Sequence, residues 1–460
     1  MNTIATKKES FFTLDSSFYK TLFGLLAAIT LQNLIAYSVN MLDNIMLGSY
    51  SQNALSGAAT VNQIFFMVQQ TALPIGNALV ALASQYWGKG EVRPIRQLTG
   101  IALKCCLLIS VLVFGVCTIF PEQLLRIFTT SDAIIAEGLV YLNLLKWTFV
   151  LFIFSNLLIS MLRSVGTVRI AFIISVISLI INGCINYTLI FGRFGFPEMG
   201  IRGAAVGTLT ARIVELLIVL FYVAKADKKI RLFSDGFFDG NLAMLRSFLK
   251  VGIPILTAAI LWAVSVPLQT AILGHLSSDA IAANSVSTTF YQYLKVIVSA
   301  LASASAVMIG NSIGAGNLTR VRSDARTLSM IDICIGLLLA LILYVVRTPL
   351  LSMYRLTPEA MVLADHFMLI MSVVMIGMSY QMPVAVGIIQ GSGDARFSLW
   401  LNLISTWVIV MPLSFLAAFV WKWPVELVVI AVQCDQLFKC IPIFLRFKSY
   451  RWIHHLTDEF

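Results

Sequence analysis

The stretch "YSVNMLDNIMLG", Tyr37 to Gly48, carries one carboxylate, Asp43, near the end of a long apolar run. Its polar company between Leu22 and Leu47 is uncharged and includes Gln32, Asn33, Ser38, Asn40 and Asn44. A second ionisable group, Lys295, sits deep in another apolar run, "TTFYQYLKVIVSALASASAVMIG". A charge at mid-bilayer costs roughly 2.5 to 3.5 kcal/mol on insertion scales, so a group kept there is a candidate for function. An acid in such a place offers reversible binding of a proton or a cation, which compete for the same oxygens. A lysine there repels cations and attracts anionic or zwitterionic molecules; the alternatives for Lys295 are an internal salt bridge and a neutral amine.

The elements that position these groups are long and apolar. Of 460 residues, 59% are hydrophobic and 12% charged, and mean hydropathy is +0.89; soluble domains are far more polar. About 20 apolar residues cross a bilayer as a helix, and the chain offers twelve such spans. They lie near residues 21 to 47, 59 to 86, 100 to 120, 138 to 162, 170 to 191, 203 to 224, 251 to 273, 282 to 312, 328 to 346, 360 to 389, 397 to 420 and 424 to 445. A transmembrane barrel needs alternating segments of about ten residues, so these continuous runs are helices. No signal peptide is expected ahead of the first span, which serves as its own insertion signal.

The net charge of +10 follows the membrane instead of marking a nucleic-acid surface. With the N-terminus inside, 22 Lys and Arg fall on the cytosolic side, Lys7 and Lys8 among them, against six outside: Arg126, Arg193, Arg202, Arg347, Arg355 and Lys422. The positive-inside rule thus puts both termini in the cytosol. The seven cysteines all lie in apolar segments without metal-ligand spacing and read as small buried hydrophobes. No cofactor is expected. An enzyme needs clustered His, Asp or Glu within the spans, and no such cluster is present.

The sequence repeats itself at an offset of 226 to 227 residues. "LDNIMLGSYSQNALSGA" from Leu42 matches "LQTAILGHLSSDAIAAN" from Leu268 at five of seventeen positions. "SQYWGKGEVRPIR" then meets "GNSIGAGNLTRVR", and "RSVGTVR" meets "QGSGDAR". Arg212 meets Lys439, Thr208 meets Asp435, Gln69 meets Lys295, and Gln269 stands where the second half would repeat Asp43. Six spans per half is an even number, so the halves enter the membrane in the same direction and are related by an axis along its normal. The expected fold is therefore an all-α membrane protein with twelve transmembrane helices in two six-helix lobes related by a pseudo-two-fold axis along the membrane normal. Its parts are a cytosolic segment 1 to 20, an N-lobe 21 to 224, a cytosolic linker 225 to 250, a C-lobe 251 to 445 and a cytosolic tail 446 to 460.

Two such lobes suit alternating access to a midplane site. Within the spans, Asp435 with Lys439 and Arg212 with Glu215 have the spacing of helical ion pairs. Asn62, Gln63, Gln69 and Gln70 give the second span a polar face, and the aromatics Phe65, Phe66, Trp262, Phe290, Tyr291 and Tyr293, with Met67, are expected, as a group, to line a pocket for planar organic molecules. No nucleotide cradle is present. Transport energy must then come from an ion gradient or from an unseen partner.

Several motifs in order give the chain its family likeness. "LDNIMLG" in the first span, "SQYWGKGEVRPIR" in the loop after the second, "LIFGRFGFPEMGIRGAAVGT" between spans five and six, "IIQGSGDAR" after span ten and "RFKSYRW" in the tail together resemble the multidrug and toxic compound extrusion (MATE) transporters. The resemblance implies a V-shaped pair of lobes that exports small organic compounds in exchange for sodium ions or protons. It also implies an ion-coupling cluster: Asp43, Asn182 on span five, Thr208 on span six, and Asn186 as its fourth member. Asn182 and Asn186, four apart, share a helix face, and oxygen ligands of this kind suit a hard cation. Interhelical hydrogen bonding alone is the plainer reading of the two amides.

The C-lobe departs from the sodium-coupled relatives, with Trp262 where some have a seventh-span Glu and no acid near Ser379. Coupling is therefore expected from the first lobe alone. The full expectation is a cation-coupled exporter in the cytoplasmic membrane, acting as a monomer among membrane lipid, with Lys295, Gln63, Gln69, Trp262, Gln269 and Tyr291 at the substrate cleft. The alternatives are a lipid-linked precursor flippase of the same superfamily or, from another class, a channel or receptor.

Overall fold

The computed structural model describes residues 11–354 and 356–457; Lys7, Lys8 and Arg355 of the charge count lie outside them. Among the described residues there is no strand, and twelve helices are long and apolar enough to cross a membrane. They are α1 (Ser16–Tyr50), α2 (Gln52–Lys89), α3 (Arg93–Ile119), α4 (Asp132–Ser164), α5 (Arg169–Ile190), α6 (Ile201–Ala226), α7 (Leu242–Gly274), α8 (Ser278–Gly314), α9 (Leu318–Leu351), α10 (Pro358–Gln390), α11 (Ala395–Val420) and α12 (Val425–Ser449). Each covers one apolar run. Most extend past it, because amphipathic turns such as "RPIRQLTG" in α3 continue the helix beyond the hydrocarbon-like stretch.

The repeated residues are structural punctuation. The Ser51 hydroxyl accepts from the Ala54 N–H at 3.5 Å, and at the equivalent place the Ser277 hydroxyl accepts from the Ala280 N–H at 3.0 Å, capping α8. At the other ends Gly90 and Gly316 adopt φ of 83° and 75°, and Gly166 and Gly393 adopt 71° and 105°. Only glycine enters that left-handed region freely. So several of the identities between the halves start or stop corresponding helices.

The chain divides into two compact units, one of Met1–Ala27, Ser84–Gly90 and Leu261–Glu459, the other of Ala28–Ala83 and Glu91–Ile260. The division falls within α1, α2 and α7. In the second of these units Leu79, Leu142, Phe149, Leu157 and Val219 are fully or almost fully buried. The polar segment after α6 is held there by Arg96, which donates to the carbonyls of Ile230 at 2.7 Å and Asp235 at 3.1 Å.

In the other unit the core gathers Phe367, Met368, Met371 and Met375 of α10 with Leu339 of α9 and Val428 of α12. Segment 84–90 meets the end of α8 backbone to backbone. A Cβ on Gly88 would overlap the Asn311 carbonyl, and one on Gly314 would overlap the Gln85 carbonyl. Residues 85 and 311 are repeat equivalents, so the two contacts are reciprocal. Gln85 also clamps the chain after α12: it donates to the His454 carbonyl at 3.1 Å and accepts from the Leu456 N–H at 2.9 Å. Ser392 donates to the carbonyl of the fully buried Trp452 at 2.8 Å.

Overpacking a close contact typically costs about 1–3 kcal/mol. Gly314→Ala is expected to lower thermal stability by that order in detergent, while Gly24→Ala, which meets nothing within 4 Å, leaves it unchanged. Equal melting temperatures for the two variants would contradict the contact.

Candidate ion-coupling site

Three helices of the Ala28–Ala83/Glu91–Ile260 unit bring the expected cluster together. Asp43 projects from α1, Asn182 and Asn186 from one face of α5, and Thr208 from α6. Asp43 is 6% exposed, and both asparagines are fully buried. Asn186 Nδ2 donates to Asp43 Oδ1 at 2.5 Å and to Asn182 Oδ1 at 3.2 Å. Asn182 Nδ2 donates to Thr208 Oγ1 at 3.2 Å, and that hydroxyl faces Asp43 Oδ2 at 3.4 Å. Hydrogen bonds to a charged group are worth roughly 1.5–3 kcal/mol each. Two of them offset much of the cost of holding a carboxylate away from water.

Small residues on α6 make the approach possible. A Cβ at Gly203 would sit 2.7 Å from the Leu189 carbonyl carbon, and one at Gly207 would overlap Asn186 Oδ1. "GAAVG" from Gly203 is the Gly-x-x-x-Gly spacing that lets membrane helices touch backbones. That spacing is legible in the sequence. Nothing in the sequence points to Tyr141, which is buried with its hydroxyl beside Thr208.

The cluster opens on a cavity of about 50 Å³, lined among others by Asn40, Asp43, Asn62, Tyr141, Arg212 and Glu215. At 10–15 Å³ per water, that is room for roughly three to five water molecules. Arg212 Nη1 donates to Glu215 Oε2 at 2.7 Å, and Ser155 donates to Glu215 Oε1 at 2.9 Å. The expected Arg212–Glu215 pair is thus formed, and it neutralises itself. An ionised Asp43 leaves the cavity one negative charge, which one proton or one monovalent cation balances. Asp43, Thr208 and Asn182 offer oxygens for a cation, but Asn186 presents its amide nitrogen to Asp43. Its own Oδ1 lies against Gly207 without a hydrogen-bond partner.

The repeat does not reproduce this chemistry. Ile409 and Leu413 stand where an offset of 227 would put the two asparagines, and Gln269 stands for Asp43. Lys439, the counterpart of Arg212, donates to Asp435 Oδ2 at 2.6 Å and to Asn402 Oδ1 at 3.1 Å. Of the residues expected at a cleft, Gln63 and Trp262 are exposed, and Gln69, Gln269 and Lys295 are half-buried. Lys295 Nζ lies 5.1 Å above the Trp262 ring, and among the described residues it forms no ion pair. Tyr291 differs from the others, being buried in the apolar core with Phe367 and Met371.

A family model for MatE matches residues 28–188 and again 254–416, one block in each half. The chain belongs to the MatE family. It is a MATE family transporter and a multi-pass membrane protein, not an enzyme. Among curated proteins it is 23% identical over 381 residues to the multidrug resistance protein MdtK of Photorhabdus laumondii, covering 82% of this chain and 83% of that one. It is 21% identical over 411 residues to an uncharacterized transporter, YisQ, of Bacillus subtilis, at 89% and 90% coverage. Among solved structures, a MATE protein in complex with MaL6 superposes with a TM-score of 0.85 at 15% identity, covering 96% and 97% of the two chains. The Vibrio cholerae MATE transporter VcmN in its bent form gives 0.83 at 20% identity, covering 96% and 98%. At these identities the structures support the twelve-helix fold and nothing finer.

Gly207→Ala tests whether the cluster depends on this helix contact. The added methyl displaces Asn186 from Asp43, so transport is expected to fall at least about tenfold, the equivalent of 1.4 kcal/mol, with the protein still monodisperse. Transport at the parental rate would contradict the contact.

Proposed function

We propose that the transporter exports small organic compounds from the cytosol in exchange for a sodium ion or a proton, in the cytoplasmic membrane with both termini cytosolic. The lobes 21 to 224 and 251 to 445, joined by 225 to 250, would rock to expose the substrate site alternately to the two sides. One observation carries the reading. Asp43 is the acid of a buried hydrogen-bonded cluster whose cavity is one charge short of neutral, so binding one cation or proton changes its charge state. The Asn186 NH₂ group donates to Asp43 and supports its carboxylate form, the form that binds either ion. A proton on Oδ2 needs only the Thr208 hydroxyl to rotate, whereas a sodium ion needs further oxygens brought round Asp43.

The substrate cleft of this proposal takes Gln63, Gln69, Trp262, Gln269 and Lys295. Tyr291, expected among them, is packed in the apolar core. Lys295 gives the cleft a positive charge, which supports anionic or zwitterionic substrates over cationic ones.

Asp43→Asn is expected to abolish gradient-driven export in proteoliposomes while leaving folding intact, and full activity would end the coupling reading. Imposed sodium and pH jumps separate the ions: a pH jump alone is expected to drive export. Lys295→Ala is expected to shift the preference towards cationic compounds, and an unchanged profile would remove the lysine from the cleft.

A further inference from the structure

Asp332, on α9 within "SMIDICIG", is fully buried, and neither carboxyl oxygen has a hydrogen-bond partner. It belongs to the unit that lacks Asp43. Two more orphaned polar atoms lie on the facing helix α10: Ser379 Oγ, on a fully buried residue, and the Tyr380 hydroxyl. Gly336, one turn beyond Asp332, touches Ser379 so closely that a Cβ there would stand 2.5 Å from the Ser379 Cβ. Ser329, one turn before Asp332, stands beside the Tyr380 hydroxyl.

Among the described residues no charged side chain faces Asp332. Tyr380 of α10 is the titratable group in electrostatic contact with it, and Cys440 of α12 adjoins Tyr380. The π-helical end of α10, Pro383–Gln390, carries no ionisable residue, and α8 contributes no charged partner. A structural buried acid is bonded, and this one is not. A bare carboxylate so placed costs several kcal/mol even after relaxation, and an apolar side chain of similar volume would pack there without that cost. The group therefore sits here as the neutral acid, and a carboxyl that makes no bond contributes nothing to stability.

We propose that Asp332, with Ser329, Ser379 and Tyr380 around it, is a second proton-binding site. On release the Asp332 O–H bond breaks and the proton passes to a water admitted between α9 and α10. The carboxylate left behind then accepts from the Ser379 and Tyr380 hydroxyls. Rebinding reverses each step, with the proton drawn from bulk water. The helix has slack at this point: three residues after Tyr380, Pro383 opens a π-helical segment, a feature frequent at functional sites. Duplication does not supply the site, because an offset of 226 places Cys106 opposite Asp332. The site's use in transport rests on the coupling reading above. Its binding of a proton does not.

Infrared difference spectra of the purified full-length protein, acid against alkaline, test the proposal in an Asp43→Asn background. That protein is expected to retain the carbonyl band of one buried protonated carboxyl that ionises on alkalinisation. Adding Asp332→Asn is expected to remove the band, and Asp332→Glu to restore it at a shifted frequency. Identical spectra for D43N and D43N/D332N would overturn the site. Should the asparagine variant fail to fold, the glutamate variant decides: an unshifted band overturns the site and a shifted band supports it. Full coupled export by D43N would instead refute the coupling reading and leave the infrared result standing.

Discussion

A hydrocarbon environment offers no partner to a polar group, so every charge carried into it must be met by the same chain. That constraint organises the protein. Asp43 is met by Asn186 and Thr208, Glu215 by Arg212 and Ser155, and Asp435 by Lys439. Arg212–Glu215 and Asp435–Lys439 are pairs within single helices, but the partners of Asp43 come from neighbouring helices that must approach closely. On α6 the glycines Gly203 and Gly207 provide that closeness, tying the Asp43 cluster to backbone packing.

The repeat separates scaffold from chemistry. Residues kept between the halves, Ser51 with Ser277, Gly90 with Gly316 and Gly166 with Gly393, begin or end helices in both. Residues that differ carry the polar sites. Asp43 faces Gln269 across the alignment, and the two amides face Ile409 and Leu413. Arg212 and Lys439 keep a cation at equivalent places but neutralise it with different acids, Glu215 and Asp435.

Much of this was legible in the sequence because bilayer thickness and helix rise allow few alternatives: all twelve spans fall where the apolar runs put them, although the helices run on past several run ends. Asp43 stood out by its solitude and the i, i+4 asparagines by their spacing. Tyr141 left no signal, since its role is set by a tertiary neighbour, Thr208. The partnerless state of Asp332 was equally invisible, because only packing decides which polar atoms find a bond. Tyr291 read like its aromatic neighbours, yet core packing claims it.

In the proposed exchange, binding of the coupling ion at Asp43 is linked to release of the substrate. Substrate affinity of the purified transporter, measured as proton and sodium concentrations are varied, tests it most directly. The account predicts that affinity falls as the coupling ion rises, and that Asp43→Asn removes one ion from that dependence. An Asp43→Asn protein whose affinity varies as steeply as that of the parent would contradict it.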